Sequence, residues 1–223
     1  QSSRDFGIAL IAKDDYGSTA SHLACIEGQT DIVQLLIKSS KDFGIDLNAK
    51  NDYGSTAWHL ACYYGQTETA QLLIQSSKDF GIDLNAKNVN GRTAWHWACR
   101  NGQTETAQLI IKSSKDFGIE LNAKDDIGST AWHFTCYFGQ TETAQLLIKS
   151  SIDFGIDLNA KGRRGLTAWH WACKNGKTET AQSLIKSSKE FGIDLNAKDN
   201  CGWTAWHWAC QFGQTETVQF LIQ

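Results

Sequence analysis

The 223-residue chain contains no proline and no methionine, which is unusual for natural sequence of this length. The missing initiator Met leads us to expect a fragment or a processed product. No apolar run approaches the roughly 18 residues of a membrane-spanning helix, and no signal peptide opens the chain. A formal net charge of −3 gives no reason to expect nucleic acid or an anionic membrane as a partner. Linkers, low-complexity tracts and charge blocks are missing too.

What is present is repetition. His22, His59, His96, His133, His170 and His207 are all the histidines of the chain, and they recur every 37 residues. Cys25, Cys62, Cys99, Cys136, Cys173 and Cys210 keep the same interval. A fixed period overrides the usual reading of length as domain count. The expected organisation is one solenoid over 1–223: the tail of a preceding repeat at 1–13, repeats at 14–50, 51–87, 88–124, 125–161 and 162–198, and a partial repeat at 199–223. Residues 1–13 match the end of a copy, so the chain enters and leaves in mid-repeat.

The stretch 51–87 serves as the type unit. Gly54 signals a turn, Thr56 is a candidate N-cap for the short helix AWHLACYY, and Gly65 ends that helix. Thr67 is expected to cap a second helix, with Glu68 complementing the dipole in its first turn. Leu72, Leu73 and Phe80 place apolar residues at helical spacing, Gly81 closes the helix, and Ile82-Asp83-Leu84 alternates like a short extended segment. Neither helix can bury its apolar face alone, so the units must stack.

These residues carry a family resemblance. DYGSTAWHLACYYGQTETAQLLI…GIDLNAK resembles the ankyrin repeat, whose hallmark is T-P-L-H-x-A in a 33-residue period. Here the motif reads TAWH five times and TASH once, at 19–22. The four extra residues fall in KSSKDF and predict a second helix longer by about one turn. The resemblance implies an all-α, ankyrin-type solenoid of about six helix-turn-helix repeats with extended connectors. It also implies a structural role for the motif histidine, tying neighbouring units by hydrogen bonds.

Other chemistries are weaker. His96 and Cys99 lie three apart on one helix face, but two ligands per helix leave a tetrahedral metal short of partners. DFG occurs five times, with one EFG, and is expected to be a helix terminus rather than a kinase element. The tryptophans at 58, 95, 132, 169 and 206 read as packing. No copy holds a Ser/His/Asp set or carboxylate pair that its siblings lack, so no enzyme activity, cofactor or metal is expected. Six stacked cysteines are spaced too widely for disulfides and are expected to be buried and reduced, with Cys201 the exception. A reducing, cytoplasmic setting follows as the expectation.

The copies disagree in a few columns: the pair before the turn glycine, the residue after it, the residue after His and the pair after Cys. All five tyrosines and four of the five arginines lie there. Tyr, Trp and Arg dominate interface hot spots, whereas drift at exposed sites usually supplies Lys, Glu and Ser. In the ankyrin family these positions form a concave, partner-binding face. Apart from the residue after His, they match the columns varied in designed ankyrin-repeat binders. The candidate protein-binding residues are Tyr53, Tyr63, Tyr64, Arg92, Arg100, Asn101, Ile127, Tyr137, Phe138, Arg163, Arg164, Lys174, Trp203 and Phe212. The expected partner is an acidic or acidic-aromatic protein epitope. The alternative is a structural spacer, or an array self-associating head to tail through uncapped ends. The near-identical framework fits consensus design or recent duplication, and the cysteine ladder favours a natural template. The first copy departs from the rest, with Ser21 for Trp and Glu27 after the cysteine.

Overall fold

A computed structural model describes residues 9–222. Each unit contributes a short helix and a longer one. The helices run α1 (Ala20–Ile26), α2 (Thr30–Phe43), α3 (Ala57–Tyr64), α4 (Thr67–Phe80), α5 (Ala94–Arg100) and α6 (Thr104–Phe117), followed by α7 (Ala131–Phe138), α8 (Thr141–Phe154), α9 (Ala168–Lys174), α10 (Thr178–Phe191), α11 (Ala205–Gln211) and α12 (Thr215–Ile222). Odd-numbered helices pack on one another in one layer, and even-numbered helices form the second. The core lies between them as a continuous stack of Trp, Ala, Cys, Leu and Ile. Among the described residues there is no strand. The tail at 1–13 falls largely outside these residues; its described part, 9–13, forms a connector whose Lys13 Nζ donates to the Lys50 carbonyl.

Local signals set each helix. Thr56 caps α3 reciprocally with His59, and Gly65 ends it with φ 70°. Gly81 ends α4 with φ 66°, so the DFG triplet is a helix terminus. The four extra residues lie inside the 14-residue α4 as one added turn. Thr67, however, does not cap α4. Gln66 occupies the N-cap, while the Thr67 hydroxyl lies 2.8 Å from that of Thr106 in the next unit. The connector after Gly81 turns at Leu84–Asn85, where the Asn85 N–H donates to Asp83 Oδ1 at 2.9 Å.

The constant columns are hydrogen-bond ladders between units. Lys50 Nζ donates to the Lys87 carbonyl (2.7 Å). Asn48 donates to the Gly81 carbonyl (2.7 Å) and accepts from the Asp83 N–H (2.8 Å). Gln66 Nε2 donates to the Ile26 carbonyl (2.7 Å). Each repeats along the chain, which explains why AK, N, Q and T barely vary. Gly54, with φ 69°, permits a close approach of neighbouring turns: a Cβ there would lie 2.7 Å from the Val89 nitrogen of the next turn.

The cysteine expectation needs one correction. Cys25, Cys62, Cys99, Cys136 and Cys173 are buried, but Cys210 is exposed alongside Cys201. Burial of each column depends on the unit that follows, and α11 has none against its outer side. Trp206 is 40% exposed for the same reason, whereas Trp58, Trp95 and Trp132 are 1% exposed.

Candidate protein-interaction face

The histidine column positions the variable turns. The Thr93 N–H donates to His96 Nδ1 (3.1 Å), so that nitrogen is unprotonated and Nε2 carries the hydrogen. Nε2–H donates to the Ser129 carbonyl (3.2 Å), just past the next turn glycine. His22, His59, His133 and His170 do the same toward Ser55, Arg92, Leu166 and Trp203. Both ring nitrogens are therefore engaged. Burial holds His59, His96 and His133 at about 4, and pushes the Cys99 thiol well above its ordinary value. Neither partner of the His96–Cys99 pair is poised to bind a metal.

On this frame the variable residues form an interlocked strip. The Tyr63 ring lies 4.8 Å from Tyr64 and 5.3 Å from Trp97 of the next unit. Arg100 sits over Trp97 (4.9 Å) and over Phe138 of the following unit (4.8 Å). Tyr137 lies 4.8 Å from Phe138 and 5.2 Å from Trp171. Lys174 sits over Trp171 (5.0 Å), Trp208 (4.4 Å) and Phe212 (4.7 Å). Trp203 closes the strip 5.4 Å from Trp208. Arg92 lies over Phe134 (4.6 Å), with Nε 3.4 Å from Asp125 Oδ2. A second period of two units thus appears: Tyr with an aromatic residue in α3 and α7, Trp with a cation in α5 and α9.

Tyr53 and Ile127 stand apart at the turn tips, 62% and 44% exposed. The Asn101 amide is turned inward, donating to the Tyr63 carbonyl at 3.1 Å, so it braces neighbouring units. Arg163 and Arg164 occupy an altered tip. Other turns begin with Asn or Asp, whose Oδ1 accepts two backbone N–H groups, as Asn51 does from Tyr53 and Ser55. The fifth unit has Gly162 there. Its tip is a 3-10 turn with Arg164 at φ 61°, a left-handed conformation that costs a non-glycine residue on the order of 1 kcal/mol.

Between tips and odd helices lie three cavities. One of about 370 Å³ is lined by Tyr53, Tyr63, Tyr64, Leu60, Val89 and Trp97 among others. A second of about 250 Å³ includes Arg92, Arg100, Ile127, Tyr137, Phe138 and Trp171. The third, of about 210 Å³, is lined by Arg163, Arg164, Leu166, Trp171 and Lys174. Burial, followed by the Arg164 charge, lowers the Lys174 pKa. The Trp171 Nε1–H is buried without an acceptor among the described residues.

Trp97, Phe134, Trp171 and Trp208, in the variable column after His, are not among the candidate residues expected from the sequence, yet all take part in this strip. Their signal was the co-variation of columns three apart: Trp97 with Arg100 and Trp171 with Lys174, against Leu60 with Tyr63 and Phe134 with Tyr137. Positions i and i+3 share a helix face.

The chain matches the family model for ankyrin repeats (3 copies) over residues 7–88, 78–161 and 152–223, and it belongs to the ankyrin repeat family. It is similar to the ankyrin repeat domain of Bcl-3, described as a unique member of the IkappaB protein family. That likeness has a TM-score of 0.76 and 26% identity, covering 99% of this chain and 89% of that one. A comparison with curated proteins finds no match. Ankyrin repeats are generally protein-interaction modules, typically non-catalytic. With 592 solved chains matching, the fold alone does not select a partner.

Proposed function

We propose that this chain is a non-catalytic scaffold whose concave face, formed by turn tips and odd-numbered helices, binds an acidic or acidic-aromatic protein segment. The observation that carries the reading is the donor-only cavity at the fifth unit. Arg163, Arg164 and Lys174 line it together with Trp171, whose buried Nε1–H has no acceptor among the described residues. No carboxylate among the described residues lies within salt-bridge reach of Arg100, Arg163, Arg164 or Lys174. A partner carboxylate supplies what this surface lacks, and charge-assisted contacts to arginine are among the strong hydrogen bonds.

Charge segregation supports the same reading. The strip is cationic in a chain of net charge −3, so acid groups elsewhere on the surface repel an acidic partner from other faces. The aromatic cavities of the second to fourth units offer sites for rings on the same segment. Selection from a displayed peptide library on the immobilised chain tests this. Enrichment of Asp and Glu with interspersed aromatics is the expected result. Enrichment without acidic bias, or selected peptides that bind an Arg100→Ala, Lys174→Ala double variant equally well, contradicts it.

A further inference from the structure

Ser21 stands where the next four units carry Trp58, Trp95, Trp132 and Trp169. Each of those indoles is at most 4% exposed. Each donates its Nε1–H to a connector carbonyl: Leu84 (3.1 Å), Leu121 (2.9 Å), Leu158 (3.0 Å) and Leu195 (3.0 Å). The first unit keeps the seat and lacks the ring. A cavity of about 240 Å³ is lined by Ser21 together with Leu10, Ile11, Leu36, Ile45 and Ala49. One repeat later these positions are Trp58 with Leu47, Asn48, Leu73, Ile82 and Ala86, so the walls are those of a tryptophan site.

Two details set this space apart from a packing defect. Ser21 is 5% exposed, and its Oγ is buried without a hydrogen-bond partner among the described residues, at a position that lines the cavity. The rim has changed with it. Asn48 and its successors bridge to the following connector, as in the 2.7 Å bond from Asn48 to the Gly81 carbonyl. Ile11 in the same register cannot, and it presents apolar surface instead.

We propose that this cavity is a binding site for an indole ring, free or carried on a tryptophan side chain. Apolar walls take the ring faces. The Leu47 carbonyl, flanked by the lining residues Asp46 and Ala49, is the equivalent of the carbonyl that accepts the indole N–H in the next four units. The space exceeds the roughly 150 Å³ at which a dry engineered cavity takes up benzene, and it suits one bicyclic ring. The site shares no residue with the three tip cavities, so its fate is independent of the proposed interaction face.

Isothermal titration of the full chain with indole tests the proposal. The expected result is one-to-one binding that Ser21→Trp weakens at least tenfold by filling the seat. Benzothiophene, which has the same shape without the N–H, should bind roughly tenfold more weakly than indole. Binding of N-acetyltryptophanamide within tenfold of indole assigns the ring to a peptide, whereas its exclusion assigns a free small molecule. No saturable indole binding by the wild-type chain overturns the proposal, and so does unchanged affinity in Ser21→Trp. If Ser21→Trp fails to fold, Ser21→Leu is the filled variant, with the same expected loss.

Discussion

His59 Nε2 lies 3.0 Å from the carbonyl oxygen of Arg92, joining the most constant side chain of one unit to a variable position of the next. The framework holds the turn by its backbone, which leaves the Arg92 side chain free to differ between copies. The same relation recurs from His22 to His170. It explains how one column stays fixed while its partner reads Ser, Arg, Ser, Leu and Trp.

Stability should fall with pH through this ladder. Burial lowers His59, His96 and His133 from the ordinary 6.5 to about 4 in the fold. As pH falls, the unfolded chain takes up protons first. The contribution is therefore intact above pH 6.5 and is lost progressively down to about pH 4. At about 1.4 kcal/mol per pKa unit, each ring costs on the order of 2 kcal/mol by pH 5. Urea unfolding between pH 7 and 4.5 should show the midpoint dropping throughout that window. A flat midpoint would contradict the neutral, buried assignment.

Thiol titration should divide the cysteines into two classes. Cys201 and Cys210 are exposed and should react quickly in native protein. Cys25 is pushed up to about 12 by burial, and Cys62, Cys99, Cys136 and Cys173 are shielded in the same way, so these five should wait for denaturant. Rapid labelling of all seven would break the packing described for the core.

Arg164→Gly should stabilise the fold by about 1 kcal/mol, because it relieves the positive φ of 61°. The same change should weaken an acidic ligand by removing a cation from the third cavity. Denaturant unfolding reads the first effect and peptide titration the second. A variant that is both less stable and equally competent would remove the tip from the proposed site.

Protection from hydrogen exchange should be lowest in residues 204–222 and highest in α3 to α8. Trp206 and Cys210 are exposed in the last unit, while their counterparts in those central helices are buried. Uniform protection to the end of α12 would point to self-association that covers this face.

Much of the fold was legible because its signals are local. Thr56, Gly65 and Gly81 each fix a helix boundary through their own chemistry, although the reciprocal cap from His59 to Thr56 was not foreseen. The KSSKDF insertion, four residues long relative to the usual period, adds one turn. What escaped depends on neighbours. Thr67 resembles a cap in sequence, yet its hydroxyl meets Thr106 two helices away. Cys210 looks like its five siblings and differs only in what packs beyond it. Asn101 reads as a surface residue until Tyr63 of the preceding unit is placed beside it. The cation–aromatic interlock lies between these cases, since its two-unit alternation is written in the sequence but its contacts cross units.

That interlock also decides how the central variants should behave. Arg100 rests against two rings, and such contacts are worth about 0.5–1 kcal/mol at exposed sites, so Arg100→Ala should cost a similar amount of stability. Tyr64, 48% exposed, should cost less.

The most direct measurement is the affinity of a library-selected acidic peptide for three variants of the chain. Tyr64→Ala and Arg100→Ala should each weaken binding at least tenfold, in line with the roughly 2 kcal/mol of a hot-spot truncation. Gln71→Ala, an exposed change on α4, should leave affinity within about twofold of wild type. Intact affinity in both tip-side variants, with loss in Gln71→Ala, would place the binding surface on the opposite layer and contradict the account.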